Sequence, residues 1–177
     1  MVLLVQYTLI FASVLALVAL GGCFSEHSGV INIGLEGIMV MGALGGALAM
    51  KFLPATTPGI VLFILIVLAS VLVGMAFSLL LGFAAIHFNA DQTLVGTALN
   101  LMGTAAAVVI VRAINVAENP DNVSSTVVYR QAKQVFLVKI GDFEFNWFML
   151  IVVLVLIAAH IVPVSYTHLR AHETDQY

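Results

Sequence analysis

Five apolar runs divide this chain, at residues 3–21, 30–51, 58–87, 93–112 and 146–163. Each approaches the length, about 20 residues, that a helix needs to cross a hydrocarbon layer. Within hydrocarbon every backbone amide and carbonyl must be paired internally, so such runs are continuous helices or broken helices buried in protein. The expected fold is therefore an all-α, polytopic membrane helix bundle with about five transmembrane segments. Composition agrees: 8% of residues are charged, where a soluble domain carries roughly a quarter. The net charge of −3 gives no basis for a nucleic-acid partner or a polybasic lipid-binding surface, so membrane lipid is the expected surrounding. Cys23 is the single cysteine, which rules out an internal disulfide.

Leu20-Gly21-Gly22-Cys23 looks like a lipoprotein cleavage box, but no Lys or Arg precedes the apolar run as a signal requires. Connections are short except for residues 113–145, where VVYRQAKQVFLVKI alternates in polarity. That pattern suits a short hairpin or an amphipathic interfacial stretch. Trp147 and Phe148 suit an interfacial anchor before the last run. Residues 1–163 read as the N-terminal part of a membrane domain. From 164 to 177 the composition changes abruptly, and VSYTHLRAHET resembles the translation of a sequencing adapter, so a non-native tail is expected there. His168 and His172, with Glu173 beside them, have metal-like spacing, but a pair in such a tail is rejected and no metal site is expected.

The chemistry concentrates in LGGCFSEHSGVINIGLEG, residues 20–37. Asn32 and Glu36 are four apart and share a face if helical. An ionisable group inside a membrane segment costs several kcal/mol unless paired or hydrated. Glu36 is thus a functional candidate, with interfacial hydration, pairing to another helix or capping of a broken helix as structural alternatives. Gly29, Gly34 and Gly37 weaken a helix and point to a break or close crossing there. Gly42 and Gly46 form a GxxxG pattern suited to close packing, and Gly74, Ser78 and Gly82 continue such spacing in the third run. Asn89 or Asp91 is placed to cap the fourth run. Asn100, between Gly96 and Gly103, needs a hydrogen-bond partner if buried, either another helix or a ligand. No nucleophile–base pair and no Walker motif is present.

Residues 19–44, ALGGCFSEHSGVINIGLEGIMVMGAL, resemble the early signature of ABC-transporter permeases for nucleosides and simple sugars. FNADQTLVGTALNLMG, residues 88–103, resembles the signature that follows it. His27 stands where arginine is usual. The resemblance implies a permease subunit, not an enzyme, in the bacterial inner membrane, with no cofactor of its own. Its implied partners are a second permease subunit, an ABC ATP-binding protein that uses ATP and magnesium, and an extracytoplasmic substrate-binding lipoprotein. Asn32, Glu36 and Asn100 are then expected to line or support the translocation path. The resemblance also implies that a cytoplasmic coupling loop follows residue 163, which places the N-terminus and residues 113–145 outside. Arg112, Arg130, Lys133 and Lys139 in or beside that connection oppose this orientation by the positive-inside rule. The rival readings are a secondary transporter or channel with Glu36 as ion-coupling carboxylate, and a purely structural membrane subunit.

Overall fold

The structure is a computed structural model that describes residues 2–27, 29, 31–54, 56–128, 137–140, 143–146, 150–159 and 161. Its elements are α1 (Val2–His27), α2 (Leu35–Phe52), α3 (Gly59–His87), α4 (Gln92–Glu118), β1 (Leu137–Ile140) and β2 (Phe143–Asn146), followed by the short apolar helix α5 (Leu150–Ala159). Among the described residues, four helices are long and apolar enough to cross a membrane, and the fifth apolar run contains the shorter helix α5. The chain forms two compact units. One holds residues 1–23 and 136–177, and the other holds residues 24–135.

In the first unit, β1 and β2 pair antiparallel with Leu137 opposite Asn146 and Ile140 opposite Phe143. The fold is a helix bundle as expected, and of the two readings of the long connection these residues take the short hairpin. Its strands take up the last four residues of the alternating stretch and the segment FEFN beyond it.

Helix boundaries differ from the apolar runs at three places. α1 continues through Gly21 and Gly22 to His27. Gly29 follows it at φ +83°, a left-handed conformation that costs glycine little, and its N–H donates to the Glu26 carbonyl (2.9 Å). The second run then becomes helical only at Leu35, with Gly34 as an N-cap that offers no side-chain bond. α4 extends six residues past the expected end at 112, because its last turns are polar but paired, as described below. The tail at 164–177 lies outside the described residues, as do Trp147 and Phe148.

The second unit is a three-helix arrangement centred on α2. Phe77 and Leu81 of α3 and Leu99 of α4 form the buried core, with Ile38 and Met41 of α2 and Val95 of α4 packed on it. α3 runs antiparallel to α2: Gly42 faces Ser70 and Gly74, and Gly46 faces Ile66 and Ser70. α4 runs parallel to α2: Gly34 meets Gly96, Gly37 meets Leu99 and Asn100, and Lys51 meets Asn115 and Glu118. In lipid, apolar burial adds little driving force between helices, so these backbone-close contacts gain dispersion energy where bulky side chains could not.

Candidate functional site

The approach of α2 to α4 is tightest at Gly37 and Gly103. A Cβ on Gly37 would lie 2.5 Å from the Leu99 carbonyl oxygen, and one on Gly103 would lie 2.8 Å from the Gly37 carbonyl oxygen. Only backbone separates the helices there, which brings the Asn100 side chain onto the first turn of α2. Its Oδ1 accepts from the Gly37 N–H (2.7 Å) and its Nδ2 donates to the Ile33 carbonyl (2.8 Å). The first amides of any helix lack partners within it. Gly34 supplies no cap, and Asn100 satisfies one of those amides from a different helix. About two turns earlier on α4, Gln92 Oε1 accepts from the Ile31 N–H (2.9 Å). Two α4 side chains thus hold residues 31–37 in place.

Asn32 lies inside this clamped stretch. Its Oδ1 is buried and has no hydrogen-bond partner among the described residues. A buried acceptor without a donor costs about 1–3 kcal/mol, and among the described residues it is the one buried side-chain polar atom left without a partner. Glu36, in the first turn of α2, is exposed. The close contact is made by Gly37, and a 100° step along the helix turns Glu36 away from it. A carboxylate in a first turn still gains from the amide dipoles there.

The other candidate residues fall into place around this contact. Gly34, Gly42 and Gly46 sit at helix-to-helix approaches, whereas Gly29 ends α1 with open space around it. Asp91 is the N-cap of α4, its Oδ1 accepting from the Thr93 and Leu94 N–H groups (2.8 and 3.1 Å). Asn89 does not cap; it occupies the left-handed region (φ 47°) in the turn between α3 and α4. Ser78 donates to its own helix at Met75, and Gly82 faces open space. His168, His172 and Glu173 lie outside the described residues.

A second polar cluster, at the other end of the α2–α4 pair, escaped the sequence reading. Lys51 Nζ pairs with Glu118 Oε2 (2.9 Å) and donates to Asn115 Oδ1 (3.3 Å). Asn115 is 2% exposed, and its Nδ2 donates to the carbonyls of Ser124 (2.9 Å) and Thr126 (3.0 Å). The segment after α4 is thereby folded back onto the helix. The signal that could have found it is the polar continuation of the fourth run, Asn115 and Glu118 at i,i+3, opposite the only lysine of the α2 run.

Residues 4–167 match the family described as branched-chain amino acid transport system / permease component. The chain is 45% identical over 116 residues to the guanosine ABC transporter permease protein NupQ of Bacillus subtilis, which covers 63% of this chain and 35% of that protein. It is 36% identical over 110 residues to the nucleoside ABC transporter permease protein NupC of Lactococcus lactis, covering 62% and 34% respectively. The chain spans about a third of the length of these curated relatives. No solved structure matches it.

Proposed function

The chain belongs to the family of branched-chain amino acid transport system permease components, and we propose that it acts as a membrane-spanning subunit of an ATP-driven importer for nucleosides or related sugars. The observation that carries the proposal is its 45% identity to a guanosine permease protein, in a chain whose helices are long and apolar enough to cross a membrane. Two such relatives bear nucleoside permease names. In this reading ATP and magnesium act on a separate ATP-binding subunit, a second permease subunit completes the path, and an extracytoplasmic binding lipoprotein delivers the solute at the bacterial inner membrane.

The candidate path residues take different roles. Asn100 spends its carbonyl on the Gly37 N–H of α2 and one N–H on the Ile33 carbonyl just before it, so it positions the stretch that carries Asn32 and Glu36. Glu36, which is exposed, offers acceptors to a passing solute, and Asn32, whose Oδ1 is buried, supports the stretch from within. Because α2 and α4 run parallel, Lys51, Asn115 and the segment after α4 sit at one membrane face, and the clamped stretch at 31–37 sits at the other. We place the former outside and the latter inside, the orientation that leaves residues 113–145 extracytoplasmic.

Uptake of labelled guanosine into cells carrying the assembled transporter tests the function. The expected result is uptake that stops when ATP is depleted and survives collapse of the proton gradient. Uptake with the opposite dependence would support a secondary transporter with Glu36 as the coupling carboxylate.

A further inference from the structure

α3 has 29 residues, about 44 Å at 1.5 Å per residue, whereas membrane hydrocarbon is about 30 Å thick. An untilted α3 therefore carries its ends into the headgroup layers. At the end that turns into α4, Phe83, His87 and Phe88 are all exposed, and the exposed polar residues Asn89 and Asp91 follow directly. The Phe83 and His87 rings stack with centroids 4.4 Å apart and planes 24° apart, and Phe88 meets Phe83 edge-on at 5.5 Å. The three rings make one ordered patch. Backbone bonds hold it: the Phe88 and Ala90 N–H groups both donate to the Ala84 carbonyl (3.2 Å each) as the chain reverses through Asn89 at φ 47°.

Stacking covers a face of the imidazole and leaves its edge, which bears the nitrogens, free. An imidazole carries at least one N–H whether neutral or protonated, and His87 has no hydrogen-bond partner among the described residues. We propose that Phe83, His87 and Phe88 anchor the α3–α4 turn in the headgroup layer, with the phenylalanine rings at the hydrocarbon boundary and the His87 N–H donating to a phosphate oxygen of a phospholipid. Rings with an apolar body and a polar tip favour that layer, and the phosphate is an ionised acceptor, which strengthens the bond. The proposal needs only that α3 crosses a membrane and stands apart from the importer reading.

The anchor fixes a depth for the neighbouring helices. α2 and α3 run antiparallel with Gly42 against Ser70 and Gly74, so Glu36 is level with Ser78, about 7 Å inward of Phe83. The α4 side agrees: Gly37 lies against Leu99 and Asn100, about 12 Å inward of the Asp91 cap. α2 therefore begins below the hydrocarbon boundary, and the non-helical stretch at 31–34 lies at a depth where lipid offers its backbone no partners. Gln92 and Asn100 supply them, to the Ile31 N–H and the Ile33 carbonyl.

The test uses the whole chain in phospholipid vesicles, with Trp147→Phe removing the single tryptophan and one reporter introduced by Phe88→Trp or Leu72→Trp. Leu72 is half exposed and lies on the stripe of Phe83, about 20° round the helix and about 16 Å inward. Bromine on the lipid acyl chains quenches indole on contact. Phe88→Trp should be quenched severalfold more by bromine near the headgroup end of the chain than by bromine near its methyl end, and Leu72→Trp should show the reverse order. The same order at both positions, or no quenching of Phe88→Trp, overturns the anchor. For the phosphate contact, thermal unfolding is compared in phosphatidylglycerol and in an uncharged glycolipid with the same acyl chains. The unaltered protein and His87→Trp, which keeps a ring N–H, should melt higher in phosphatidylglycerol, and His87→Phe should lose most of that gain. No gain in the unaltered protein, or a gain kept in full by His87→Phe, overturns the phosphate contact. Both measurements are read without transport, so loss of the importer reading leaves them standing.

Discussion

Asn100 and Gly37 are 63 residues apart in sequence, yet the amide oxygen of the first accepts from the N–H of the second at 2.7 Å. With the Ile33 carbonyl on the other end of the same amide, this one side chain determines where α2 begins relative to α4. Asn100→Leu leaves both backbone groups without a partner in a part-buried contact. The expected loss is about 1–3 kcal/mol for each group that water does not reach. Asn100→Asp keeps the acceptor for Gly37 and loses the donor to Ile33, so it should fall between. Thermal unfolding in detergent ranks the three proteins, and an Asn100→Leu protein as stable as the parent would contradict the clamp.

Gly37→Ala and Gly103→Ala each place a methyl group inside 3 Å of the other helix's backbone. Backbone cannot rotate aside as a side chain can, so the helices must separate, at an overpacking cost of about 1–3 kcal/mol. Gly82→Ala, with nothing within 4 Å, should leave stability unchanged or raise it slightly through helix propensity. Melting temperatures of the three variants measured together separate packing from propensity.

Asn115→Leu removes the donor that holds Ser124 and Thr126 and deprives Lys51 of one of its two acceptors. The expected outcome is faster hydrogen exchange and protease cleavage within residues 119–128, with α4 itself retained. Glu118→Gln should do much less: Glu118 is 56% exposed, and pairs with a solvated partner contribute about 0–1 kcal/mol. Lys51→Met should resemble Asn115→Leu more than Glu118→Gln, because its side chain is only 8% exposed.

Asp91→Ala deletes a cap that receives two amides, and an N-cap of this kind contributes about 1 kcal/mol. Asn89→Gly should be neutral at φ 47°. Asn89→Val should cost about 1–2 kcal/mol, because a β-branched side chain clashes in the left-handed region. Circular dichroism during thermal unfolding distinguishes these outcomes.

Local signals carried far. The third apolar run begins and ends within a residue of α3, and the turn chemistry around Asp91 marks the start of α4. α1 and α4 run past their apolar runs for one reason: a helix continues through polar residues wherever those residues find partners or water. α1 carries Glu26 and His27 in its last turn, and α4 continues to Glu118 because Lys51 and the returning segment satisfy its polar residues. Asn115 went unnoticed for the same reason, since its partners come from α2 and from residues 124–126.

By itself the sequence determined that the chain must bury its backbone polar groups in helices, roughly where its long apolar helices lie, and which residues punctuate them. Those properties depend on groups within a few turns of one another. Which way each helix is rotated was decided by the tertiary structure alone. The contacts between Gly37 and Gly103 and between Lys51 and Asn115 link residues more than 60 positions apart. Their close approach turns Asn100 inward to a backbone partner and leaves Glu36 facing outward, because rotation of a membrane helix follows from where two backbones can touch.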